Sequence, residues 1–87
     1  MESESAERDR ARESILALLD ARELGKTICP SEAARAIGGE EFHDLMPTVR
    51  SAAAELVEEG MIDVTQGGHV VDPGSARGPI RLRVRNG

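Results

Sequence analysis

Aromatic side chains are almost absent from the 87 residues: the sequence contains Phe42 but no tryptophan and no tyrosine. Proteins that read single-stranded nucleic acid or RNA commonly stack the bases on aromatic rings. One ring in the whole chain does not supply a stacking surface, so this class of nucleic-acid reader is set aside.

Cysteine and long hydrophobic runs are scarce as well. Cys29 is the single cysteine, so no disulfide can form within the chain. No apolar run approaches the roughly 20 residues that a membrane-spanning helix needs. The acidic, serine-containing start also lacks the basic and then apolar pattern of a secretory signal. We therefore expect a cytoplasmic protein with no membrane partner.

Positive charge is in deficit, because the formal net charge is -5 and the sequence pI is about 5.0. A protein with this balance does not coat nucleic acid by bulk electrostatics. The balance reverses after residue 60, where the charged residues are Arg77, Arg81, Arg83 and Arg85 against Asp63 and Asp72. The C-terminal part of the chain is therefore its cationic part.

The length allows one compact domain. Residues 1–6 are polar and are predicted to form a disordered N-terminal lead-in, followed by a single domain over residues 7–85. A chain this short buries about 60% of the surface that its unfolded form exposes, so most apolar residues are expected to serve the core.

Apolar spacing and helix-stop signals predict the first half of the domain. Helix 1 is expected over about residues 7–23, where apolar residues recur at helical spacing and Gly25 follows as a stop. Residues 26–29 are a β-prone step. Helix 2 begins at Pro30 and stops at the pair Gly38 and Gly39.

Helix 3 and a β-ribbon follow. The third helix is predicted to start between Asp44, a good N-cap, and Pro47, which a first turn tolerates, and to stop at Gly60. The pattern then alternates with a period of two around the turn at residues 67–68, and again without a break over residues 80–85. The predicted fold is α+β: a winged helix-turn-helix, with three helices packed on a small antiparallel sheet, the wing.

Short spaced motifs stand at residues 25–32, 45–47, 49–50, 64–66 and 77–81. Over about residues 10–84, the chain with these motifs resembles a bacterial family of short winged-helix domains of unknown function. The resemblance implies the winged-helix fold, a bacterial cytosolic origin and, by analogy of fold alone, nucleic-acid binding. It supplies no catalytic or ligand-binding residue.

The candidate site follows from how winged helices use their parts. Helix 3 is the element that enters the major groove, and its outward face would carry Thr48 and Ser51 with Arg50 on the flank. The strand arginines share one face and would hold phosphates beside the groove. The predicted nucleic-acid contacts are Thr48, Arg50, Ser51, Arg77, Arg81, Arg83 and Arg85.

Two alternatives stay open for this surface. Glu55 and Glu58 on the same helix would repel phosphates, and a charged outer strand face also serves to prevent edge aggregation. If the surface does not bind DNA, the chain is expected to be a protein-interaction module that meets a second copy or another partner. Double-stranded DNA is the first candidate partner, and a homodimer or protein partner is the second.

No catalytic or cofactor site is expected. Cys29 lies just before a helix N-terminus, which can lower the pKa of a thiol, but no histidine is near it in sequence to act as a base. His43, His69 and Cys29 also lack the spacing of zinc ligands. The sequence therefore predicts a structural Cys29, no metal, no cofactor and no enzymatic activity.

Overall fold

The structure is a computed structural model that describes residues 3–22 and 26–85 of the chain. Its helices are α1 (Ser3–Ala21), α2 (Pro30–Gly38) and α3 (Phe42–Glu58), with a 3₁₀ turn at Gly39–Glu41 between the last two. Its strands are β1 (Thr27–Ile28), β2 (Ile62–Gln66), β3 (His69–Val70) and β4 (Arg81–Val84). The fold is α+β, as the sequence predicted.

The strands form one antiparallel sheet in the order β1-β4-β2-β3. The register places Leu82 of β4 beside Ile28 of β1 and Val64 of β2. All three side chains are buried, which is the inward face that the alternating pattern predicted. Gly67 and Gly68 connect β2 to β3 with φ of 59° and 85°, the backbone that a two-residue hairpin turn requires.

One hydrophobic core joins the helices to the inner face of the sheet. In α1 the buried hydrophobic residues are Ala11, Ile15 and Leu19, which recur every four residues and so share one helix face. Ala52, Ala53 and Leu56 supply the matching face of α3. Phe42 and Leu45 are half-buried against this core and close the corner after α2.

The start of α1 differs from the prediction. The helix begins at Ser3 rather than near Glu7, so residues 3–6 of the predicted disordered lead-in form the first turn of α1; residues 1 and 2 lie outside the described part. A polar first turn exposes its N–H groups to water and needs no buried partner, so apolar spacing does not reveal it. The helix ends at Ala21, and the predicted end at Glu23 with the stop at Gly25 falls outside the described residues.

The start of α3 was also predicted too late. The helix begins at Phe42, with Glu41 as its N-cap residue, so Asp44 lies in the first turn and Pro47 lies inside the helix. A proline at this depth leaves the carbonyl four residues earlier, that of His43, without its helical hydrogen bond. Both His43 and Pro47 are exposed, so water can reach that carbonyl. The end of the helix is confirmed, because Gly60 has φ of 79° just beyond it.

In the described part of the chain, no helix combines the length and the apolar character that crossing a membrane requires.

Candidate nucleic-acid interface

The seven predicted contact residues come from different parts of the fold. Thr48, Arg50 and Ser51 lie in α3, Arg77 lies in the loop before β4, and Arg81, Arg83 and Arg85 follow β4 and its end. Their side chains separate into four groups with different neighbours.

Thr48 and Ser51 face the beginning of α1. Both line a shallow groove of about 290 Å³ together with Pro47, Glu7 and Arg8. Because α3 starts at Phe42, these two residues lie about two turns into the helix and not at its N-terminus. The end of α3 that a helix-turn-helix protein would aim at bases therefore consists of other residues.

Arg50 of α3 contacts the loop that precedes β4, and Arg77 belongs to that loop. The Arg50 Nη2 atom donates to the carbonyl oxygen of Ala76, the residue before Arg77, over 3.4 Å, a long hydrogen bond that holds Arg50 against this loop. The loop is held from the sheet as well, because Gln66 Nε2 donates to the carbonyls of Arg77 and Pro79. Neither Arg50 nor Arg77 forms an ion pair with another described residue.

Arg81 extends across the outer face of the sheet towards β1. Its Nε atom donates to Thr27 Oγ1 over 2.9 Å. Its charge lies close enough to the start of α2 to contribute to a lowered pKa of Glu32. The main cause of that lowering is the hydrogen bond that the backbone N–H of Cys29 donates to the Glu32 carboxylate over 2.9 Å, followed, after an opposing effect of burial, by the contact with Arg22.

Arg83 and Arg85 share one carboxylate. Arg85 Nε donates to Asp63 Oδ1 over 2.8 Å, and Arg83 Nη2 donates to Asp63 Oδ2 over 3.3 Å. The Asp63 side chain is only 15% exposed, and the hydrogen bond from Arg85 is the main cause that lowers its pKa. Two of the seven predicted residues are therefore engaged within the sheet, and with Asp63 they carry a net charge of one.

Arg85 also lies at the wrong end of the molecule for a site at the start of α3. Its backbone N–H donates to the carbonyl of Met61, and a Cβ added at Gly60 would lie 3.6 Å from its guanidinium. Gly60 follows the C-terminus of α3, 12 residues beyond Thr48, which is about 18 Å along a helix. The alternating arginine strand was correctly predicted, but it does not extend towards Thr48 and Ser51.

Ion pairs between arginines of α1 and glutamates at the C-terminal end of α3 connect the two helices. Arg12 donates to both carboxylate oxygens of Glu59, at 2.7 and 2.8 Å, and to Glu55 over 3.1 Å. Arg8 Nε lies 2.7 Å from the other oxygen of Glu55. These contacts join α1 to α3. They also neutralise Arg8 and Arg12, which are then not available to a ligand. No spacing rule on a single helix predicts them, because the partners are more than 40 residues apart.

Cys29 is half-buried at the N-cap of α2. Burial raises the pKa of its thiol, but hydrogen bonds from the Ser31 hydroxyl and from the backbone N–H groups of Ser31 and Glu32 outweigh this effect and lower it, with help from the charge of Arg81. Its sulfur lies 2.8 Å from Ser31 Oγ. These partners hold the thiol in place, and none of them is a general base of the kind that activates a catalytic cysteine.

Within residues 3–22 and 26–85, no three or more histidine, cysteine, aspartate or glutamate side chains converge on a point that could hold a metal ion. Comparison with curated protein sequences gave no match. A family model with the description "Protein of unknown function (DUF3253)" matches residues 8–85, nearly the whole chain. The predicted resemblance to a family of short domains without a known function is thereby confirmed, and the chain belongs to this family.

Proposed function

We propose that this chain is a winged-helix domain that binds double-stranded DNA through α3 and the adjoining loop. The order of elements supports this assignment of the fold: helix, short strand, helix, turn, helix and then an antiparallel ribbon. In this assignment α3 is the recognition helix, and the hairpin of β2 and β3 with the loop up to β4 is the wing. A bacterial origin, a cytoplasmic location and a non-enzymatic role belong to the same proposal.

The contact between Arg50 and Ala76 carries the proposal. It joins Arg50 of α3 to the loop in which Arg77 directly follows Ala76, and neither arginine has an ion-pair partner among the described residues. A winged helix needs cations at this junction, because phosphates flank a groove that its recognition helix enters.

The exposed stripe of α3 is compatible with such an approach. At about 100° per residue, His43, Pro47 and Ser51 follow one another along the outside of the helix, and all three are exposed. These residues span about two turns, and Glu58 ends the stripe. The proposed DNA contacts are thus Ser51 and its neighbours on the stripe, with Arg50 and Arg77 for the phosphates.

The number of cations sets the expected affinity. Each neutralised phosphate contributes about -0.9 to the slope of log K against log salt concentration, so two arginines per chain give a slope of about -2. Counting all of the strand arginines would give a slope about twice as steep. A single copy therefore binds weakly, and useful affinity requires contacts from a second copy.

The experiment is a titration of fluorescent duplex DNA at low and at moderate salt with the wild type, Arg77→Glu and Arg83→Glu. Both substitutions make the same charge change, but Arg83 already shares Asp63 with Arg85, so it is the matched control. We expect Arg77→Glu to abolish binding and Arg83→Glu to weaken it less. An equal loss of DNA binding in both variants would contradict a specific role of Arg77. No binding by the wild type at low salt would contradict the DNA function itself.

A protein-interaction module is the second candidate, and the acidic groups near both ends of α3 favour it. Glu40, Glu41 and Asp44 stand at its start, and Glu58 and Glu59 at its end, all exposed. A duplex lying along α3 would meet these carboxylates, whereas a cationic protein partner would be attracted to them. If the wild type binds no DNA, this candidate replaces the first.

A further inference from the structure

The outward side of α1 carries a row of exposed residues that do not pack in the core. Arg10, Glu13, Ala17 and Asp20 lie within about 80° of one another around the helix, and all four are exposed. Neither Arg10 nor Asp20 is paired with an oppositely charged group elsewhere in the described part of the chain. The small side chain of Ala17 lies between them.

Two apolar grooves flank Ala17, which lines both. On one side, a groove of about 390 Å³ is lined by Leu18 and Ile37 among others. On the other, a groove of about 470 Å³ is lined by Leu16, Met61 and Val84, and Met61 is 42% exposed. A small residue between two apolar grooves allows the backbone of another helix to approach closely, with larger side chains filling the grooves.

We propose that α1 is a homodimer interface in which two copies pair their α1 helices antiparallel about a two-fold axis. A two-fold axis in the plane of the interface, perpendicular to the helices, brings each groove against the same groove of the second copy. Leu16 and Met61 then meet Leu16 and Met61 of the other chain, and the Leu18 side likewise meets itself. Both contacts bury apolar against apolar surface.

Charge complementarity selects the second copy as the occupant. Arg10 and Asp20 are ten residues apart, about 15 Å along the helix. Arg10 lines the Leu18 groove and Asp20 the Leu16 groove. In an antiparallel pair centred between them, each Arg10 lies level with Asp20 of the other chain and reaches it across the small Ala17, so the interface contains two identical ion pairs. Glu13 lies opposite the small Ala17 and not opposite another carboxylate. A parallel arrangement would instead place like charges together, which is unfavourable.

This interface is separate from the proposed DNA contacts and does not depend on them. None of its residues belongs to α3 or to the junction of Arg50 and Arg77. A dimer would double the number of cations that one particle offers to DNA, but its existence is tested without nucleic acid.

The test is sedimentation equilibrium of the full chain over a range of micromolar concentrations. The wild type is expected to be a dimer, and Ala17→Glu to be a monomer, since it places a carboxylate between the grooves at an exposed position that the fold does not need buried. Arg10→Asp and Asp20→Arg are each expected to raise the dimer dissociation constant about tenfold, because each turns two attractive pairs into repulsive ones. The double variant Arg10→Asp, Asp20→Arg restores opposite charges and is expected to recover the dimer.

Lys26→Asp is the control for the size of the charge change, because Lys26 is exposed and lies outside α1; it is expected to leave the dimer intact. Circular dichroism establishes that each variant is folded. A monomeric wild type, or an Ala17→Glu variant that remains dimeric, would overturn the interface. A double variant no better than the singles would overturn the antiparallel pairing.

Discussion

Arg85 donates a hydrogen bond to Asp63 across the end of the sheet, from Nε to Oδ1 over 2.8 Å. Asp63 belongs to β2, and Arg85 immediately follows β4, so the contact exists only because these strands are neighbours. It connects an arginine of the predicted phosphate-binding strand to a carboxylate that the sequence places 22 residues earlier. Asp63 therefore affects both the availability of the strand arginines for a ligand and the stability of the sheet.

Asp63→Asn is expected to reduce stability by no more than about 1 kcal/mol at neutral pH, as is usual for ion pairs at a surface. The pKa of Asp63 is lowered in the folded protein from an ordinary 3.8. Its stabilising contribution is then fully present above about pH 4 and is lost as the pH falls through the lowered pKa. Urea unfolding at a series of pH values measures this, and the difference between wild type and variant should vanish at the acid end. A difference that grows towards low pH would mean that Arg83 and Arg85 do not stabilise the ionised carboxylate.

Leu82→Asp is expected to unfold the domain. Leu82 is fully buried in a central strand, and an ionised carboxylate there would have no partner in the apolar core. A loss above about 4 kcal/mol is a large part of the stability of a domain this small. Arg83→Ser, one residue away on the outer face, removes one partly exposed ion pair, and Asp63 keeps Arg85, so the melting temperature should change little. Thermal melts followed by circular dichroism compare the two, and similar melting temperatures would show that the inward and outward faces of β4 are wrongly assigned.

Glu59→Gln is expected to lower the melting temperature more than Glu58→Gln. Both glutamates are exposed near the end of α3, but Glu59 accepts two hydrogen bonds from Arg12 of α1, and these lower its pKa. The contribution of Glu59 should be present at neutral pH and disappear as the solution is acidified below its ordinary pKa of 4.5. Scanning calorimetry at neutral and at acidic pH measures both variants. Equal melting temperatures at neutral pH would mean that this tie between α1 and α3 adds nothing.

Cys29→Ser is expected to leave the domain folded and its binding properties unchanged. The residue serves as the N-cap of α2, a position that serine fills well, and its contacts to Ser31 and Glu32 are those of a helix start. Because the pKa of the thiol is lowered, alkylation by iodoacetamide should begin at a lower pH than for a free cysteine. The measurements are the alkylation rate against pH and the melting temperature of the variant. A loss of DNA or partner binding in a folded Cys29→Ser protein would contradict the structural role.

Local signals in the sequence determined most of the elements. Gly60 and the pair Gly67 and Gly68 need backbone angles that glycine adopts freely, so they mark a helix end and a hairpin without reference to the rest of the chain. The alternation around Leu82 likewise settles which face of the strand is buried, because a strand has only two faces. The start of α3 was not determined in this way, since Pro47 is a typical first-turn residue and only the packing of Phe42 and Leu45 places the helix start earlier.

The candidate site was decided by the tertiary structure. The sequence supplied arginines, a residue type suited to phosphate contact, and periodicity placed the strand arginines on the outside of the sheet. Periodicity relates residues within one element, however, and does not say which carboxylate a neighbouring strand brings alongside. The pairing of β2 with β4 brings Arg83 and Arg85 into ion pairs with Asp63. The packing of α1 on α3 brings Arg12 into an ion pair with Glu59. Charges in contact are set by distance through space, and in the described part of the chain that left Arg50, beside the loop of Arg77, without an ion-pair partner.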